Sequence, residues 1–195
     1  MSIRAILVPI LVERFSNHGL QLGDPPAPIA VFPSIHPEVG SVTISEKEES
    51  ADVSVGEIAY DHFFNPYEEE RGTDEAAAGI ANEIVRFLQE LFADRLLMWR
   101  STDGRTRGWR ERGAEGRSAP LVNDDREYST YVWSGPLGIW RATAVILARG
   151  AIEDDREYEI MRHRVTDDGP DRLRGTERDE ARRLVADYER GRITE

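Results

Sequence analysis

Cysteine is absent from the 195-residue chain. Disulfides, thiol nucleophiles, thiolate zinc sites and iron–sulfur clusters are thereby excluded together, and a reducing compartment, the cytoplasm, is the expected location. Lysine is nearly absent: of the 25 basic residues only Lys47 is lysine, which leaves little scope for Schiff-base chemistry. No hydrophobic run is long enough to cross a bilayer. The apolar stretch Ile3 to Val12 carries Arg4 and Pro9, runs into Glu13 and Arg14 and has no small-residue cleavage site, so neither a membrane span nor a signal peptide is expected there. A glycine-rich phosphate loop, a Gly-x-Ser-x-Gly elbow and a dinucleotide fingerprint are missing as well. Gly135 and Gly138 sit in Ser-Gly-Pro-Leu-Gly, which reads as a turn.

What is present is charge. Aspartate and glutamate number 37, for a net charge of −12. That balance disfavours a nucleic-acid binder, whose affinity rests on Lys and Arg neutralising phosphates. The sign is unevenly spread: residues 1–98 hold 6 basic and 17 acidic side chains, residues 99–118 hold 6 and 3, and residues 119–195 hold 13 and 17. The one net-positive stretch surrounds Trp99 to Arg117.

Hydrophobic spacing organises the chain. Ile3, Ile6, Leu7, Ile10, Leu11 and Phe15 follow helical spacing after Ser2, despite Pro9. From Ile29 to Ile58 the period becomes two, with Ile29 and Val31, then Val42 and Ile44, then Val53 and Val55, separated by turn residues at 37–40 and 48–50; this predicts a three-stranded antiparallel meander. Thr73 or Asp74 caps an amphipathic helix over 74–94 whose stripe is Ile80, Ile84, Phe87, Leu88 and Leu91. Leu96 to Trp99 reads as a strand, Asp103-Gly104 as a type I′ turn, and Arg105 to Arg110 as the return strand. Residues 111–125 read as a flexible loop and Tyr128 to Trp133 as a strand. The run Ile139 to Leu147 suits a strand or a helix. Tyr158, Met161 and Val165, then Ala181, Leu184, Val185 and Tyr188 after a Thr176 to Asp179 capping pattern, predict a helical hairpin over 153–190 able to pack on another chain. The string Asp-Asp-Arg-Glu-Tyr occurs at 124–128 and 154–158 with nothing else repeating around it. The expected fold class is α+β: an antiparallel sheet of meander plus hairpin, braced by the long helix, with an N-terminal helix. Residues 1–149 form one domain, and 150–195 a helical C-terminal extension packed on it or on a partner.

The chemistry-bearing candidates are few. Glu57, Asp61 and His62, near Asn65, stand at the end of the third expected strand, where a His among carboxylates can act as general base or ligand. Their spacing matches no metal pattern, and His36 supplies a further ligand only if the strands bring it to His62. Structural packing of His62 with Phe63, Phe64 and Tyr67 is the simpler expectation. Glu68 to Glu70 with Asp74 and Glu75 favour a helix start and lack the spacing of a calcium loop. On the ribbon 99–112, Arg105, Arg107 and Trp109 would share one face and Arg110 the other, an arrangement suited to phosphate or to stacked bases. The four Trp residues, 99, 109, 133 and 140, are expected in the core.

No metal or cofactor is expected. This order of elements is shared by many small bacterial α+β domains, immunity and antitoxin proteins among them, an analogy of architecture that carries no function. The leading expectation is a non-enzymatic cytoplasmic protein-interaction protein, with a protein partner or a second copy of itself. The alternatives are a metal-dependent or hydrolytic enzyme centred on Asp61 and His62, and a phosphate or nucleic-acid binder using the Arg and Trp ribbon.

Overall fold

Ser2 starts the first helix, α1 (Ile3–Phe15), by accepting the Ala5 N–H on its hydroxyl. Ile3, Leu7, Leu11 and Phe15, four residues apart, form the buried stripe, and Pro9 is accommodated within the helix. The computed structural model describes residues 2–67, 72–112, 126–166 and 173–193. By internal contacts the chain divides into two compact units: Met1–Pro120 with Ser129–Gly138, and Leu121–Tyr128 with Ile139–Glu195. The expected loop lies mostly outside the described residues, as do Glu68 to Glu70 and the first Asp-Asp pair of the repeated string.

In the first unit the expected meander has five strands rather than three, in the order β1 (Gln21–Leu22), β2 (Ala30–Phe32), β3 (Val42–Lys47), β4 (Ser50–Val55), β5 (Ala59–Phe64), each antiparallel to the next. Burial alternates cleanly along β4, where Ala51, Val53 and Val55 point inward. In β2 the inward strand residues are Ala30 and Phe32, not Val31. Ala30 faces Ile44 and Phe32 faces Val42 in the register, so the residues opposite two core side chains must themselves face the core. The β5 segment, placed by its sequence at the end of the third expected strand, is a strand of its own in which Ala59, Asp61 and Phe63 take the inner side while Tyr60, His62 and Phe64 take the outer. Its aromatic residues on both faces conceal that alternation in the sequence.

Thr73 caps α2 (Asp74–Phe92) through its hydroxyl, which accepts the Ala76 N–H. The buried stripe contains every expected residue and adds Ala76, Ala77, Ala81 and Val85. It packs against α1 and against β4 and β5. The helix ends at Asp94, whose φ of 57° is the only positive value at a described non-glycine residue. Asp94 is held there by its carboxylate, which accepts the Ser134 N–H, and by its carbonyl, which accepts from Arg112.

The second sheet has the order β7 (Arg107–Glu111), β6 (Leu96–Ser101), β8 (Tyr128–Val132), β9 (Gly135–Trp140). Only Gly104 in the β6–β7 turn has a positive φ, which rules out type I′, a turn that needs two. Asp103 accepts from the Ser101 hydroxyl and the Arg105 N–H, so Arg105 stays in the loop and β7 begins at Arg107. Gly135 and Gly138, expected in a turn, lie in β9, where their φ values of 150° and 130° carry Pro136 through a terminal strand. The ambiguous run 139–147 is both things: β9 ends at Trp140, Arg141 is extended, and α3 (Ala142–Arg149) follows.

In the second unit, α4 (Asp155–Thr166) and α5 (Gly175–Ile193) form the expected hairpin. Ile146, Met161, Leu173, Ala181 and Leu184 make its core. The α5 stripe expected to be available to another chain is therefore filled by α3 and α4. Tyr158 and Tyr188 stack at 5.3 Å, and each hydroxyl donates to a carboxylate on the opposite helix, Glu189 and Asp155. Helix α5 begins one residue before Thr176, which therefore lies inside its first turn.

Two glycines give opposite expectations for one substitution. A Cβ on Gly108 would stand 2.7 Å from the Trp99 ring, which packs across it from the facing strand; a Cβ on Gly79, on the exposed side of α2, meets nothing within 4 Å. Urea denaturation should find Gly108→Ala destabilised by about 1–3 kcal/mol and Gly79→Ala stabilised by about 0.5–1 kcal/mol.

Candidate functional site at the β5 edge

Asp61 and His62 are neighbours in sequence and leave β5 on opposite faces. The residue that faces His62 across the β4–β5 register is Asp52, and His62 Nδ1 lies 2.6 Å from Asp52 Oδ1. Asp61 instead accepts the His62 backbone N–H at 2.9 Å. Glu57, in the turn before β5, is exposed and pairs with Arg100 at 2.8 Å. His36 accepts the Glu38 N–H on Nδ1 and lies beside Gly135, and Asn65 accepts the Tyr67 N–H in the turn leaving β5. Among the described residues no group of three His, Asp or Glu side chains could hold a metal ion.

Asp52 is the hub of the outer face. Besides His62 it takes Lys47 Nζ at 2.5 Å, and Tyr60 donates to it from β5. Partial burial pushes its carboxyl up, but the hydrogen bonds from His62, Lys47 and Tyr60 and the Lys47 charge together hold it down, to about 2. The hydrogen bond to Asp52 is likewise the main reason that Lys47 and Tyr60 are both raised. Phe64 stacks on the His62 ring at 5.5 Å, and the Arg107 guanidinium lies 5.8 Å from the centre of the Tyr60 ring. Asp52 carries the only sign the sequence offers of this cluster: it is the acidic member of the alternating run Ser50 to Val55.

The expected basic ribbon is divided among several tasks. Arg105 is in the loop, Arg107 lies over Tyr60, and Arg110 leaves β7 on the face opposite to Arg107. Trp109 is half-buried, edge-on to Phe87 of α2 at 5.0 Å.

Beside the Arg107–Tyr60 contact, β5, α2 and the β6–β7 ribbon flank a cleft of about 240 Å³. Its rim carries Asp61, Glu83, Glu90 and Glu111 with Arg86 and His62, so the two adjacent candidates Asp61 and His62 both border it; its apolar wall is Phe63, Phe64, Phe87, Leu96 and Trp109. Glu90 is held by Arg95 through two hydrogen bonds of 2.6 and 2.8 Å, and this bond to Arg95 is the main reason its carboxyl is lowered.

The depressed Asp52 carboxyl makes stability pH-dependent. A group whose folded value lies below its unfolded one contributes stability above the unfolded value, near 3.8, and loses it as pH falls through the folded value. Wild type should therefore exceed Asp52→Asn in urea stability by about 1 kcal/mol at pH 6, the exposed partners tempering the full linkage value. The difference should shrink between pH 4 and pH 2; a gap that stays constant over that window contradicts the role given to Asp52.

Comparison of the chain with family models, with curated proteins and with solved structures finds no match.

Proposed function

We propose that the chain is a non-enzymatic, cytoplasmic protein-interaction protein, of immunity, antitoxin-like or regulatory kind, that docks through the outer face and rim of β5. The observation carrying this reading is that Tyr60, His62 and Phe64 occupy successive outward positions of a terminal strand, with Tyr60 and Phe64 42% and 50% exposed. Tyr67, just beyond, is 66% exposed. Aromatic and Arg side chains are the ones that interfaces concentrate, and Asp52 fixes Tyr60 and His62 in place before any partner arrives, which lowers the ordering cost of association. Asp61 and His62 both border the cleft, but they leave β5 on opposite faces and His62 Nδ1 is engaged by Asp52, which speaks against an Asp61–His62 catalytic pair. Among the described residues no helix is long and apolar enough to cross a membrane.

The test is quantitative affinity capture from the native lysate with wild type and the Tyr60→Ser/Phe64→Ser double variant, both checked for unchanged circular dichroism and melting. Wild type should recover a stoichiometric partner, or a second copy of itself by light scattering, with at least a tenfold loss in the variant. Equal recovery by both proteins overturns the proposed surface.

A further inference from the structure

We propose that the cleft beside β5 is a receptor for one arginine side chain of a basic partner segment. This rests on the protein-interaction reading and names what the partner presents. Three features of the cleft select that chemistry.

The first is charge. Four carboxylates, Asp61, Glu83, Glu90 and Glu111, line the cleft against the guanidinium of Arg86 and the His62 ring, which is itself paired with Asp52. Glu90 is neutralised by Arg95, and Asp61 is engaged by a backbone N–H of its own strand. Glu83 from α2 and Glu111 from β7 stand on different walls, so a cation between them would gain from both. An anion would be repelled, and the net charge of −12 steers basic partners toward the chain as a whole.

The second feature is the wall. Phe63 meets Phe87 edge-on at 5.9 Å, and Phe87 meets Trp109 edge-on at 5.0 Å. Phe63 and Phe87 are themselves buried, so the ring surface open to the cleft is that of Trp109 and of Phe64, which is half exposed. Rings beside carboxylates suit a cation on an apolar stem, the stem packing on the rings while the head keeps its charge partners. A small hydrated metal ion has no use for such a wall. A planar guanidinium can also stack on rings and bond two separate carboxylates, which a compact ammonium does less well. The same strand already makes this contact within the chain, where Arg107 lies over Tyr60.

The third is size. At about 240 Å³ the cleft falls below the roughly 300–1,000 Å³ of pockets that enclose a drug-sized ligand. One long side chain is the occupant it fits.

The experiment uses the intact chain and N-acetyl-arginine amide as the probe, followed by NMR at the Trp109 indole N–H, identified by its loss in Trp109→Phe. Expected are a saturable shift, at least tenfold weaker binding of the neutral N-acetyl-citrulline amide, and at least a tenfold loss of arginine affinity in Glu83→Gln/Glu111→Gln. Both carboxylates are exposed, so that variant should fold, and its melting curve checks this. No saturable shift in wild type, equal binding of the citrulline probe, or full affinity in the double Gln variant each overturns the assignment. Partner capture that depends on Tyr60 and Phe64 without probe binding refutes the cleft alone; probe binding without any captured partner refutes the docking surface alone.

Discussion

The apolar stripe of α2 has to be covered on more than one side, and the arrangement of the first unit follows from how that is done. Nine buried residues on a 19-residue helix cannot be satisfied by a single sheet face. Large residues at Ile80, Ile84, Leu88 and Leu91 are interleaved with Ala76, Ala77 and Ala81, so the helix can lie close to its neighbours. It is packed by β4 and β5 and by α1, which has its own stripe of Ile3, Leu7, Leu11 and Phe15 to bury. Phe87 lies at the margin of this covering. It is buried at the core and also lines the cleft, with Glu83 and Glu90 about one turn to either side of it on the same helix face. The cleft is thus the place where the core's covering stops.

How the chain leaves α2 fixes the opposite wall. Asp94 adopts the left-handed conformation that glycine or asparagine usually supplies at a helix end, at a cost of about 1 kcal/mol for a residue with a Cβ. The Ser134 N–H on its carboxylate, the Arg112 guanidinium on its carbonyl and the Glu90–Arg95 pair beside it offset that cost. They also fasten β6, the end of β7 and the β8–β9 turn to one point. From there β6 pairs with β7 so that Met98 faces Trp109 and Leu96 faces Glu111, which brings an aromatic ring and a carboxylate to the cleft from a ribbon that the sequence marks chiefly as basic.

Local periodicity made much of this legible. The stripes of α1 and α2, the β3 and β4 alternation and the two C-terminal helices follow from spacing alone, because each buries one face against a continuous surface. Legibility failed where a segment was terminal or two-faced. The strand β5 shows aromatic residues on both sides, β9 contains glycines and a proline that a terminal strand tolerates, and the run at 139–147 changes state at Arg141. The contacts within the candidate site were hidden for a different reason. Asp61 and His62 look like a pair because they are adjacent, yet adjacency in a strand is what separates side chains. Asp52 and His62 are ten residues apart and meet only because Asp52 faces His62 in the β4–β5 register, a long-range fact that no short window of sequence contains.

The two surfaces at β5 carry opposite charge, and this bears on what can bind there. Lys47 and Arg107 flank the outer face around Tyr60 and Phe64, with Asp52 largely committed beneath them. The cleft, which shares His62 and Phe64 with that face, adds the carboxylates Glu83 and Glu111 on its far walls. A nucleic-acid backbone carries one sign of charge along its whole length; it could favour the first surface and would be repelled by the second a strand's width away. A folded protein can present both signs at that spacing, an acidic group toward Lys47 and Arg107 and an arginine toward the cleft, and such paired complementarity rejects wrong partners as effectively as it attracts the right one. That mixture of signs around a single strand supports the proposed protein docking at β5 over phosphate binding there.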